Sequence, residues 1–162
     1  MKRRSVMVLL GALSFGATIP WRALASLLQS GSAERTAQTL AAVADTLFPG
    51  GDGLPGASAF GLHNGVLETP DIQDLITKGV AWLDKFAAAH NAVNFPALDE
   101  TQRLAALDAA FASTEDGIQQ FVLALRYHIG TAYYSQPAVK STFPYTGPPQ
   151  PDGFPDFQER PA

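Results

Sequence analysis

The stretch TPDIQDLITKGVAWLDKF, residues 69–86, decides the fold class. Ile72, Leu75, Ile76, Val80, Leu83 and Phe86 recur at intervals of three and four, which gathers them along one side of an α-helix for about four turns. The start is marked as well. Thr69 has the residue type of an N-cap, and Pro70 stands at the first helical position, where a missing N–H leaves no bond unmade. Asp71 places a negative charge against the positive end of the helix dipole.

Three more segments on either side carry the same period. Upstream, Ala37, Leu40, Ala41, Ala44, Leu47 and Phe48 form an apolar face, which predicts a helix over 33–48 with Ser32 as N-cap. Pro49-Gly50-Gly51 ends it, and a glycine-rich loop follows through Ala57. Downstream, Asp99 and Gln102 have the spacing of a capping box. They open a third helix whose buried face is expected at Leu104, Leu107 and Phe111. A fourth is expected after Thr114, with Ile118, Phe121, Val122, Leu125, Ile129 and Ala132 facing inward. No run alternates with the period of a strand. The reading is all-α: a small bundle of about four helices within a helical domain at 26–134.

Both ends depart from this pattern. At the N-terminus Lys2, Arg3 and Arg4 precede an apolar run from Val6 to Ile19, and Ala23-Leu24-Ala25 offers a small-residue cleavage site. The adjacent arginines, the Gly11, Ser14 and Gly16 that dilute the apolar run, and Arg22 before the cut read as a twin-arginine signal over 1–25, the route for proteins exported already folded. The run is shorter than the roughly twenty residues of a membrane span. At the C-terminus, residues 135–162 hold seven of the twelve prolines, and the segment is expected to form no helix. Phe143, Tyr145, Phe154 and Phe157 are interleaved with them, so an extended arm that lays aromatics on a surface fits better than a solvated tail. That surface is either the chain's own bundle or another subunit.

Charge and composition remove whole classes of function. The signal takes four of the eleven Lys and Arg, leaving seven against fifteen acidic residues, a net charge of −8. An acidic chain without a basic patch is a poor partner for nucleic acid or an anionic membrane surface. With no cysteine, there is no disulfide, thiolate nucleophile, cysteine-ligated cluster or thioether-linked haem.

Catalytic and cofactor motifs are also missing. Gly50-Gly51-Asp52-Gly53 follows a helix rather than a strand and matches neither phosphate-binding fingerprint, so it reads as a helix-stop loop. His128 sits beside Tyr127 off the apolar stripe, with Glu115 and Asp116 three turns away, and reads as a surface or interface histidine rather than a general base. His63 and His90 have no partner at metal-ligand spacing. No catalytic, cofactor-binding or metal residue is assigned, and the mature chain reads as a non-catalytic module. Folded export of a chain without a cofactor site points to travel with a partner that has one.

The residues 39–62, TLAAVADTLFPGGDGLPGASAFGL, resemble the gluconate 2-dehydrogenase subunit 3 family in Asp45-Thr46-Leu47-Phe48-Pro49 and Pro55-Gly56-Ala57. Phe95–Phe111 and the closing Tyr133–Asp156 look like later blocks of the same family. The resemblance implies a small accessory subunit of a membrane-associated dehydrogenase complex. Its partners would be a large flavoprotein of the glucose–methanol–choline type, which holds FAD and oxidises a sugar or sugar acid, and a cytochrome subunit with haem c. The small subunit would lend the export signal to the flavoprotein and stabilise it in the periplasm, at the inner membrane, after passage through the twin-arginine export machinery. It implies no catalytic residue on this chain and does not fix the substrate. The alternative of another class is a free-standing periplasmic helical binding or chaperone-like module.

Overall fold

The structure, a computed structural model, describes residues 21–143, with side chains from residue 31 onward. Six helices follow one another: α1 (Trp21–Leu47), α2 (Leu62–Leu67), α3 (Gln73–Ala89), α4 (Glu100–Phe111), α5 (Ile118–Ser135) and α6 (Pro137–Lys140). Two 3₁₀ turns, Pro70–Ile72 and Phe95–Ala97, lead into α3 and α4. There is no β-strand among the described residues, and the all-α reading holds. Among these residues no helix is long and apolar enough to cross a membrane.

α5 is the hub, since it packs against each of the other five helices. The apolar spacing dictates this. Ile118, Phe121, Val122, Leu125, Ile129 and Tyr133 are all buried, and they wind around enough of the helix to meet neighbours on several sides. The crossing with α3 is tight, because Gly79 leaves a notch for Phe121. A methyl group built at Gly79 would stand 2.2 Å from the Phe121 ring, so only glycine fits while the ring holds that place. Ile76, Val80 and Leu83 fill the seam on the same face of α3.

The turns are fixed by side chains reaching back to the backbone. Asp99 accepts from Gln102 N at 2.8 Å while Gln102 Oε1 accepts from Asp99 N at 3.2 Å, the expected capping box of α4. Asn94 Oδ1 accepts from Ala97 N, and Asp84 Oδ1 accepts from Phe95 N at 3.1 Å, which seats Phe95 fully inside the core. α5 starts at Gly117, whose φ of 82° suits a residue without Cβ.

Several sequence expectations are corrected. α1 does not begin after a Ser32 cap, because Ser32 lies inside a helix that already runs from Trp21. The upstream WRALASLLQ is composed of good helix formers, so nothing there stops the helix. Its buried stripe is Thr39, Leu40, Val43 and Ala44, with Ala37 and Ala41 only half-buried. Thr69 does not cap through its side chain. Its hydroxyl donates to Gly65 O, and Pro70 opens a 3₁₀ turn before α3. On α4 the inward residues are Ala106, Leu107 and Ala110, whereas Leu104 and Phe111 are exposed. The segment from residue 135 is not wholly without helix, since Pro137 takes the first position of α6, where proline is tolerated, and Val139 is buried. The rest of the arm and residues 1–20 of the expected leader, with Arg3-Arg4, lie outside the described residues, while residues 21–25 belong to α1.

An exposed ion pair, Lys78 Nζ to Asp116 Oδ2 at 2.7 Å, links α3 to the turn before α5. Its hydrogen bond first and its charge second hold the Asp116 carboxyl below its ordinary range and raise Lys78 above its own. The pair therefore contributes above the ordinary aspartate pKa and loses that contribution as acid titrates Asp116. At the alkaline end the contribution is lost as pH rises through the raised Lys78 value. Asp116→Asn should lower stability slightly at neutral pH, less in high salt, and not at all in acid below the carboxylate range, as read by urea denaturation. The α3–α5 notch gives a larger effect. Phe121→Ala should cost about 3–5 kcal/mol, and Gly79→Val about 1–3 kcal/mol or more by overpacking. Combining Gly79→Val with Phe121→Leu should recover part of the loss, because the two residues compete for one space.

Candidate interaction surface

The Asp-Thr-Leu-Phe-Pro motif ends α1, and its parts have separate tasks. Asp45, one turn before the end, points its carboxylate across the glycine-rich loop. Oδ1 accepts from Ser58 N at 2.8 Å and Oδ2 from Ser58 Oγ at 2.5 Å. The loop can approach this closely because Gly56 has no Cβ: one built there would lie 2.6 Å from Asp45 Oδ1. Within the loop Gly51 and Leu54 exchange both backbone hydrogen bonds around Asp52 and Gly53. The φ values of those two, 51° and 83°, are the left-handed pair that a tight Asp-Gly turn requires. Gly50 meets Leu54 O and Gly56 N so closely that a side chain there would displace backbone.

Phe48 is the anchor. It rests over Gly130 of α5, where a Cβ would come within 2.8 Å of Phe48 Cζ. It stacks on Tyr133 at 5.6 Å between centroids and meets the edge of Tyr134 at 6.0 Å. Tyr133 in turn packs edge-on to Phe60 and donates its hydroxyl to Pro55 O at 3.3 Å. Both conspicuous motifs of the sequence, 45–49 and 55–57, are thus structural. They fold the 48–61 loop onto the C-terminal half of α5.

The surface beside this anchor is apolar and open. A groove of about 500 Å³ runs between the end of α1, α4 and α5, with Phe48, Leu104, Phe111, Leu123, Arg126 and Tyr134 among its walls. A second depression of about 480 Å³ adjoins it and shares Phe48, Leu123, Arg126 and Tyr134. Tyr127 is 70% exposed and Tyr134 is 53% exposed, and Phe143 lies 6.0 Å from Tyr134 at the rim. Large apolar side chains gathered in one groove, rather than scattered singly, mark a docking surface.

The sequence missed this surface for an identifiable reason. Leu104 and Phe111 share the period of a buried face, and periodicity does not tell which neighbour covers them. In the fold their side of α4 looks out beside α5, while small Ala106 and Ala110 face the core.

The three histidines are not brought together by any described contact. His128 is half-buried and packs edge-on to Tyr127 at 5.4 Å. His90 stacks on Phe86 at 4.3 Å, with Nδ1 2.9 Å from Phe86 O at the end of α3. His63 stands on α2, its Nδ1 buried without a hydrogen-bond partner. Among the described residues no three His, Asp or Glu side chains are grouped to hold a metal ion.

A family model, gluconate 2-dehydrogenase subunit 3, matches residues 34–146, most of the chain. The chain belongs to that family. The family's name describes a subunit of a multi-subunit dehydrogenase. No curated protein and no solved structure matches the chain. The matched region begins within α1 and takes in the whole Asp45–Ser58 clamp, the groove and α6.

If Asp45 is the staple of the loop, its removal should loosen the loop without melting the helices. Asp45→Ala leaves the Ser58 N–H without its acceptor and should cost about 1.5–3 kcal/mol, as hydrogen bonds to charged groups do. Limited proteolysis should then cut faster between Gly50 and Ala57, with helical circular dichroism retained. Ser58→Ala keeps the backbone donor and should cost less.

Proposed function

We propose that this chain is the non-catalytic small subunit of a flavoprotein sugar or sugar-acid dehydrogenase complex. Family membership over residues 34–146 is the observation that carries the reading. The large partner holds FAD and performs the oxidation, and a cytochrome subunit with haem c takes the electrons onward. The small subunit supplies the export signal and stabilises the large one. The complex works in the periplasm, held at the inner membrane.

Two features of the chain support this division of labour. Arg3 and Arg4 present two planar guanidinium forks to the twin-arginine export machinery, while the remainder of the chain lacks a dinucleotide or haem-attachment motif. An exported folded chain with no cofactor motif of its own is suited to accompany a cofactor-bearing partner. The substrate is chosen by the flavoprotein and is not written in this subunit.

The export half of the proposal is tested in the cell. Arg3→Lys with Arg4→Lys keeps both charges but loses the bidentate fork. The double variant should leave this subunit and a flavin-dependent dehydrogenase activity in the cytoplasm. Normal periplasmic delivery of both would contradict the shared-signal proposal. Delivery of this subunit alone, with no dehydrogenase depending on it, would favour a free-standing periplasmic module.

A further inference from the structure

We infer that the apolar groove between α4 and α5 is the seat of this chain's own C-terminal segment, residues 144–162. This goes beyond the accessory-subunit reading and does not depend on it.

The starting point is where the chain leaves the described residues. α6 is pinned by buried Val139, and Thr142 and Phe143 continue it with backbone bonds to Val139 and Lys140. Phe143 then lies against Tyr134, which walls both the groove and the depression beside it. The next residue therefore sets out from the groove's own rim, and Tyr145 is only two positions beyond Phe143. Little chain entropy is lost in bringing the two together, because the connection is so short.

Length and stiffness fit. From Tyr134 back to Leu123 the axis of α5 rises about 17 Å. A proline-rich strand from Phe143 to Phe154 reaches up to about 34 Å, enough to traverse the groove and place its later aromatics beyond it. Prolines at 144, 148, 149, 151 and 155 reduce the freedom the strand must give up on docking. Tyr145 and Phe154 supply apolar groups of the size that Leu104, Phe111 and Leu123 leave uncovered.

Charge agrees in sign. Arg126 walls both depressions and has no ion-pair partner among the described residues, whereas Asp108 walls only the first, so the favourable charge lies where the two depressions adjoin. The segment carries Asp152, Asp156 and Glu159 against the single cation Arg160. An acidic strand crossing Arg126 gains a pair in a partly apolar setting, where screening by salt is reduced.

The absence of cysteine permits a direct test. Ala105→Cys on α4 and Gln150→Cys in the segment are introduced into the full chain and spin-labelled, and the distance between labels is measured by pulsed electron resonance. A seated segment gives one narrow distance distribution. Leu123→Glu, at a half-exposed groove position, should abolish it while helical circular dichroism stays unchanged, and Arg126→Glu should broaden it. A broad distribution in the parent chain overturns the inference, as does a narrow one indifferent to Leu123→Glu. A narrow signal that disappears on dilution with unlabelled chain assigns the groove to a second copy and equally overturns it.

Discussion

The carboxylate of Asp45 sets the geometry on which the outer half of the structure depends. Pro49 would end α1 in any case, but the direction the chain takes afterwards is open until Asp45 takes both donors of Ser58. Those bonds join residues thirteen positions apart across the end of the helix and bring Gly56 against the carboxylate. With the loop folded back, Phe48 is pressed over Gly130 and Pro55 O comes within reach of Tyr133. A charged acceptor is suited to this task, because its hydrogen bonds are about twice as strong as neutral ones.

Beneath that clamp, α5 organises the rest. It is notched at Gly130 for Phe48, and its Phe121 occupies the notch that Gly79 makes in α3. Two glycines on adjacent helices thus receive aromatics, one near each end of α5. Close packing of this kind tolerates little change in volume, so the register of α1, α3 and α5 is set by shape rather than by polar bonds. The ion pair between Lys78 and Asp116 is exposed and adds little beside it.

Much of this was legible from residue order. The stripe of α3, the capping box at Asp99 and the inward face of α5 follow from local rules, although Leu75, Phe86 and Ala132 are only half-buried. The family resemblance rested in part on residues 45–49 and 55–57, which the structure shows to be the clamp and its glycine contact. Other features depended on distant partners. Leu104 and Phe111 have core spacing yet line a groove, because the buried side of α4 is taken by Ala106, Leu107 and Ala110. α2 has only six residues, too few for a periodic signal, and α6 starts at a proline, which excludes helix in the interior but not at the first position. The role of Tyr133 could not be seen locally, since its acceptor is 78 residues away.

The proposal of an accessory dehydrogenase subunit rests on family membership over residues 34–146. The most direct measurement is affinity purification of the full chain, tagged at its C-terminus, from its native host, followed by the absorption spectrum and dye-linked dehydrogenase activity of what is retained. The account predicts a larger flavin-bearing polypeptide bound stoichiometrically, with activity toward a sugar or sugar acid that the small subunit purified alone does not have. Recovery of this chain with no flavoprotein, or turnover by the chain alone, would contradict it.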